Sequence, residues 1–291
     1  MPQDLRCPLC GATKIKFFCE KNNYQLYTCS VCRLGFVWPI PAGTEKIYQE
    51  QYFKKSGVAA GFGYVDYERD KEPMRQSFIR CLAELEKLTP GRKIFDIGAA
   101  TGYFLDLAAE RGWQTAGAEI SSYAAEIAAL KGHNIFLGKL ENFISKNNYD
   151  VVTMWDVLEH LDAPREYLKI ITRLLPENGI LLINTINKES WWARLWGKRW
   201  QAIIPPEHLF YWSPVSLKIL LEEQGFRILF VGTIGKRFSL SYIFKILADW
   251  QNLKIWRKLS TFFDSKFWRV FCLPIRLGDN IFVVAKKIKE V

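Results

Sequence analysis

The sequence predicts an α/β fold, a mostly parallel sheet with helices on both faces, preceded by a small unit held by cysteines. Three observations predict it. From Arg92 onward, short apolar runs alternate with helical patterns, as in repeated strand–helix–strand units. The run Lys93-Ile94-Phe95-Asp96-Ile97 then leads through Gly98-Ala99-Ala100-Thr101-Gly102 into Tyr103-Phe104-Leu105, a buried strand passing through a glycine turn into a helix. Glycines there take Cβ atoms out of a ligand's path, and the helix start offers unpaired N–H groups. Thirdly, Cys7, Cys10, Cys29 and Cys32 form two C-x2-C pairs separated by 18 residues. That is the spacing of a four-thiolate zinc site.

The 291 residues, 49% hydrophobic and 24% charged, are enough for one large core plus a satellite, and their composition excludes a disordered chain. No stretch reaches the roughly 18 uninterrupted apolar residues of a spanning helix. Met1-Pro2-Gln3-Asp4 lacks the basic and apolar regions of a signal peptide, so a cytoplasmic protein is expected. The net charge of +10 points to an anionic partner: nucleic acid, a membrane surface or a phosphorylated substrate.

Taken in order, residues 1–38 read as a zinc ribbon whose strands, Lys14 to Cys19 and Gln25 to Cys29, pair across Lys21-Asn22-Asn23. Zinc replaces a core too small to hold alone, and four protein ligands make its role structural. Disulfides are disfavoured without a secretion signal. Cys19, Cys81 and Cys272 read as small buried apolar residues. Residues 39–72 form an aromatic connector containing Tyr48, Tyr52, Phe53, Phe62, Tyr64 and Tyr67.

The main domain, residues 73–291, starts with a helix near Pro73 that places Phe78, Cys81, Leu82 and Leu85 on one face and ends at Thr89-Pro90-Gly91. Seven strands follow: Lys93 to Ile97, Gln114 to Ala118, Asn134 to Leu137, Asp150 to Trp155, Gly179 to Thr185, Arg227 to Val231 and Asn280 to Ala285. Ser122 is expected to cap one helix, Pro164 to open another, and Ser213-Pro214 to start a third that stops at Gly225. The glycine spacing departs from the G-x-G-x-x-G of dinucleotide folds, which places a dinucleotide enzyme second. An ordinary α/β turn is the plain alternative.

Four motifs resemble those of the class I S-adenosylmethionine (SAM) methyltransferases, over residues 73–235 and 279–289, in particular the branch with an N-terminal zinc ribbon. They are Asp96-Ile97-Gly98-Ala99-Ala100-Thr101-Gly102, Gly117-Ala118-Glu119-Ile120-Ser121, the run from Tyr149 to Leu161, and Pro205-Pro206-Glu207-His208-Leu209-Phe210-Tyr211-Trp212-Ser213. The Glu159-His160 segment is similar to that of the ubiquinone-biosynthesis O-methyltransferases. The resemblance implies a seven-stranded, mostly parallel, Rossmann-like methyltransferase sheet. It also implies that Asp96, Gly98, Ala100 and Gly102 surround the methionine end of SAM, that Glu119 takes the ribose hydroxyls and that Ile120 packs on adenine. Leu140 and Trp155 are counted with the cofactor-binding residues. Lys139 stands where relatives often have an aspartate.

Asp156, Glu159 and His160 stand at i, i+3 and i+4, the spacing that puts three side chains on one helical face. Three uses are open: His160 as general base, the trio as ligands of a divalent metal, or Asp156 as a helix cap beside a buried imidazole. His208 competes for the catalytic role from a proline-bounded loop, with the alternative that it serves the loop alone. His133 falls before the third strand, away from the ligand edge, so His160 and His208 are expected as a pair facing one cavity.

Two stretches exceed what the sheet needs. Residues 189–200 pack four tryptophans among Arg194, Lys198 and Arg199, and Lys236 to Arg276 carries nine basic residues against Asp249 and Asp264. In the latter, Leu240, Ile243, Phe244 and Leu247, then Trp256, Leu259, Phe263, Phe267 and Val270, recur at helical spacing, so residues 236–277 read as a helical insertion. Such helices suit anionic lipid, an RNA face, or a cap over the site or a dimer surface with the charges solvated. The expected function is SAM-dependent O-methylation of a lipid-linked or membrane-presented acceptor, peripheral to the inner face of the membrane. The alternatives are a methyltransferase of a soluble glycan, small metabolite or RNA, and a zinc-ribbon binding module on a catalytically silent fold.

Overall fold

A computed structural model describes residues 5–41, 43–48, 50–53, 68, 71–144, 148–239, 244, 254–263, 272–275 and 278–288. Phe62, Tyr64 and Tyr67 of the connector, and Leu240, Ile243, Leu247, Phe267 and Val270 of the insertion, lie outside the described residues.

The N-terminal unit is a hairpin of β1 (Ile15–Lys21) and β2 (Tyr24–Cys29) followed by β3 (Gly35–Trp38). Asn22 and Asn23 both adopt positive φ, 53° and 64°, which is what a two-residue hairpin turn with the native strand twist requires. This sheet takes its fourth strand from far along the chain: β9 (Phe210–Tyr211) pairs antiparallel with β3.

The main sheet contains β4 (Lys93–Ile97), β5 (Gln114–Glu119), β6 (Asn134–Leu137), β7 (Val151–Trp155), β8 (Ile180–Ile186), β10 (Phe226–Gly232) and β13 (Asn280–Lys287), in the order β10-β13-β8-β7-β4-β5-β6. All seven expected strands form, and their bounds differ by no more than two residues. Strands β4 to β8 run parallel, while β13 is antiparallel to both β8 and β10. Because β4 has β5 on one side and β7 on the other, the connections leave in opposite directions there. This opens a crevice at the carboxyl ends of β4, β5 and β7.

Helices α1 (Arg75–Leu88), α2 (Tyr103–Ala109), α3 (Ser122–Leu130), α4 (Pro164–Leu174), α5 (Trp191–Trp196) and α6 (Pro214–Glu223) surround the sheets. The cap of α3 is Ser121, whose hydroxyl accepts from the Ala124 N–H, one residue before the serine expected. Ser213 caps α6 as expected, with Pro214 in the first turn. The core has two halves because strand side chains alternate. Ile94, Val151, Ile180 and Leu182 face α1 and α2, while Phe95, Val152, Met154, Leu181 and Ile183 face the other way. This second half is continuous with Cys7, Cys29, Leu34 and Phe36 of the ribbon. Burying a side chain such as Phe36 is worth about 1.5–3 kcal/mol, so the ribbon and the main domain stabilise each other.

The insertion is helical only in part. Lys236–Ser239 (β11) and Cys272–Ile275 (β12) pair antiparallel, correcting the helix expected from Lys236 onward. The neighbouring strands β10 and β13 already run antiparallel side by side, so the chain leaving one and entering the other is held close enough to continue the pairing. Between them α7 (Lys254–Phe262) forms as expected, and the Phe244 ring stacks on Trp256 and Phe263 at 5.8 and 5.1 Å. Among the described residues no helix is long and apolar enough to cross a membrane.

Candidate active site

The glycine turn after β4 opens the cofactor side. Gly98, Ala100 and Gly102 have φ of 71°, 49° and 83°. A Cβ on Gly98 would stand 2.6 Å from Val157 Cγ2, and one on Gly102 2.8 Å from His133 Cδ2, so these glycines serve the turn's own packing as well as its openness. His133 is buried behind the turn, bonded to Asp106 and Thr115, and so stands off the ligand edge as expected. Glu119, at the end of β5, accepts N–H bonds from Ala100, Ile120 and Ser121, each at 2.8 Å. A carboxylate offers about four acceptor positions, so three backbone donors leave room for one hydroxyl of a ligand. Burial pushes the Glu119 carboxyl up, and these donors pull it back.

Asp96 is 2% exposed and accepts from Thr153 Oγ1 at 2.5 Å. Burial, then the charge of Glu119, pushes it up to about 7 against the pull of the Thr153 hydroxyl and Lys71. Thr101 Oγ1 and Trp155 Nε1 are buried without a hydrogen-bond partner among the described residues. A polar ligand at the turn would supply the partner that buried groups ordinarily have. The residues therefore fit SAM. Ile120 is half-buried and Leu140 buried, while Trp155 packs between Phe78 and Phe104.

On the acceptor side the expected trio divides. Asp156 has φ of 56°, which turns the chain, and residues 158–160 form a turn rather than a helix, so the helical spacing does not apply. Asp156 Oδ1 accepts from Asn184 Nδ2 at 2.5 Å, and Oδ2 lies 3.5 Å from Lys71 Nζ. Glu159, fully buried, accepts from Thr185 Oγ1 at 2.7 Å. His160 and His208 meet with ring centroids 4.7 Å apart at 73°. One ligand atom each of Glu159, His160 and His208 lies within 4.8 Å of the others, so His208 takes the place expected of Asp156.

The partners of the two rings bear on their tautomers. His160 Nδ1 is 2.8 Å from the Glu207 carbonyl, and His208 Nδ1 is 2.8 Å from that of Ala202. A carbonyl only accepts, so each of these contacts calls for a proton on Nδ1, and His160 Nδ1 also meets the Tyr48 hydroxyl at 2.7 Å. Burial holds His160 below the usual imidazole range, against the pull of Glu207 and Asp156.

The connector contributes residues the sequence reading did not assign. Tyr48 Oη is 2.7 Å from His160 Nδ1, Tyr52 Oη donates to Glu207 at 2.9 Å, and Phe53 packs on Ala100 and Ala124. The spacing of Tyr48 and Tyr52 in an aromatic segment was the available signal. Tyr48 meets His160, while the partner of Tyr52, Glu207, stands beside His208 in the fourth motif with no role expected of it.

The four cysteines gather as their spacing predicts. Cys7 Sγ is 3.5 Å from Cys32 Sγ, Cys10 Sγ is 3.6 Å from Cys29 Sγ, and all four sulfurs lie within 4.8 Å of one another. Tetrahedral zinc with Zn–S bonds of about 2.3 Å needs sulfurs about 3.8 Å apart, which these positions meet with small shifts. The Val31 N–H donates to Cys29 Sγ, as a thiolate requires. The cluster therefore fits structural zinc.

Residues 67–230 match a family described as a methyltransferase domain. A ubiquinone biosynthesis O-methyltransferase of Idiomarina loihiensis is 28% identical over 136 residues, 43% of this chain and 52% of that protein, so the chain spans about half that relative's length. One from Alkalilimnicola ehrlichii is 24% identical over 195 residues, covering 59% of this chain and 76% of its own. The fold is similar to that of a magnesium protoporphyrin IX methyltransferase from Synechocystis PCC 6803 with bound SAH, with TM-score 0.52 at 16% identity, covering 81% of this chain and 97% of that one. With more than half of its length matched by that family, this chain belongs to the methyltransferase-domain proteins and has the fold of the SAM-dependent methyltransferases.

Proposed function

We propose that this chain transfers the methyl group of SAM to an oxygen of an acceptor presented at a membrane surface, with lipid-linked hydroxyl compounds as the favoured class. The observation that carries the chemistry is the meeting of His160 and His208, ring centroids 4.7 Å apart, with a Glu159 carboxylate oxygen within 4.8 Å of both rings' ligand atoms. SAM, when bound, supplies an electrophilic methyl group. Asp96, the turn and Glu119 hold and orient it, and positioning carries much of such a displacement. The imidazole Nε2 takes the acceptor's hydroxyl proton, a role that suits a ring kept neutral by burial. Glu159, held by Thr185, faces the pair and stabilises the positive charge that then develops.

Two exposed surfaces support membrane presentation. On α5, Trp191 and Leu195 are 55% and 63% exposed beside exposed Arg194, Lys198 and Arg199, and on α7 Ile255 and Phe262 are 60% and 62% exposed beside Lys258. Apolar tips among cations suit the headgroup boundary of an anionic bilayer. A second reading of the chemistry rests on one observation. Glu159, His160 and His208 form a two-histidine, one-carboxylate set that a divalent ion could occupy to polarise the acceptor oxygen.

The test offers methyl-labelled SAM with a prenylated phenol in phosphatidylglycerol vesicles, and with the same phenol unprenylated in solution. Label should enter the vesicle-bound phenol. Equal labelling of both, unaffected by vesicles, would reject the membrane-presented acceptor, and label in neither but in RNA would move the chain to that substrate. Turnover that depends on added magnesium or manganese, in protein that keeps the zinc of its four cysteines, would favour the metal over the histidine base.

A further inference from the structure

We propose that the cysteine-held ribbon is a positioning element of the acceptor site: through the pairing of β3 with β9 it sets how closely His208 approaches His160. This rests on the reading of the histidine pair given above. The segment Leu209–Tyr211 is bonded on both sides. On one side Gly35 and Phe36 pair with Tyr211 and Phe210, and the Val37 N–H donates to the Leu209 carbonyl at 2.9 Å. On the other side the N–H groups of Leu209 and Phe210 both donate to the Glu159 carbonyl, at 2.8 and 3.1 Å. His208 directly precedes this segment, and His160 directly follows Glu159. The two imidazoles thus hang from opposite sides of a seam whose outer edge is the ribbon.

The seam is tight and anchored at both ends. A Cβ on Gly35 would lie 2.9 Å from Tyr211 Cβ, so the two strands approach as closely as a glycine allows. Arg165, in the first turn of α4, donates to the Pro8 and Leu9 carbonyls of the first cysteine turn, and Lys188 Nζ donates to the Arg33 carbonyl of the second at 3.0 Å. Asn22, at the hairpin tip, donates to the Pro205 carbonyl at 2.8 Å, just ahead of Glu207 and His208. The cofactor half shares none of these bonds: Gly98, Ala99 and Glu119 are tied to β5, its following residues and the turn itself. The ribbon's hydrogen bonds therefore act on the acceptor half, while the cofactor half meets the ribbon through the shared apolar core and should respond less.

The chain has only three histidines, and His133 sits behind Gly102. Full-length protein labelled with 15N-histidine therefore reports both halves at once, and a uniformly 15N-labelled sample of the same protein reports the ribbon amides. In Gly35→Ala the added Cβ should displace β9 and shift the imidazole signals of His160 and His208, with His133 moving less and SAM affinity within about twofold. Cys10→Ser, at the exposed cysteine, serves as the second variant in case Gly35→Ala does not fold. It should give the same pattern, with ribbon amide signals broadened. If either folded variant shifts the ribbon amides and leaves His160 and His208 in place, the proposal is overturned. If His133 and SAM affinity change as much as the pair does, the ribbon is general support and the proposal also falls. The spectra read geometry whatever the acceptor is. Failure of the base role, seen as full turnover in both His160→Ala and His208→Ala, is thus separable from failure of this coupling.

Discussion

Asp96→Asn should make the protein more stable at alkaline pH while weakening its hold on SAM. The Asp96 carboxyl is raised from its ordinary 3.8 to about 7, first because burial removes it from water and then because Glu119 is near. A folded value above the unfolded one means that the native state keeps a proton the unfolded chain has released. The associated stability is fully present below about pH 4 and is lost as pH rises through about 7. Over the whole window this amounts to on the order of 4 kcal/mol, and between about pH 5 and about pH 8 to roughly 2.5 kcal/mol. Asparagine stays neutral and can still accept from Thr153, so the variant should lack this loss. Its amide N–H groups add a cost of about 1–3 kcal/mol, but that cost is the same at both pH values and cancels in the comparison. Urea unfolding of both proteins at the two pH values measures the quantity, and SAM titration measures the functional loss. Parallel pH dependence in the two proteins would refute a protonated, buried Asp96.

Glu119→Ala removes the acceptor of three backbone N–H groups as well as the expected ribose partner, so SAM should bind more weakly by on the order of 1–3 kcal/mol in calorimetric titration. Unchanged affinity would remove Glu119 from the site. His160→Ala and His208→Ala should each keep SAM affinity and lose turnover by roughly a hundredfold or more. Full turnover in both would leave positioning without a histidine base. One zinc per chain should copurify through Cys7, Cys10, Cys29 and Cys32, and elemental analysis finding none in protein never exposed to chelator would reject the ribbon site.

The sequence by itself determined the elements and the anchors that depend on local chemistry. Strand periodicity, the strand–glycine–helix junction at Asp96 to Gly102 and the C-x2-C spacing are local signals, because each follows from backbone geometry or ligand reach over a few residues. They placed all seven strands, Glu119 at the end of β5, and the four cysteines around one point. Tertiary structure alone decided the acceptor side. The positive φ of Asp156 sends Asp156 to Asn184 and Lys71 and brings His208 to Glu159 and His160. Tyr48 reaches His160 across 112 residues, and β3 finds β9 far along the chain. No local pattern encodes such meetings. They arise because the ribbon and the sheet bury one continuous core, which brings together side chains that the order of the sequence keeps apart.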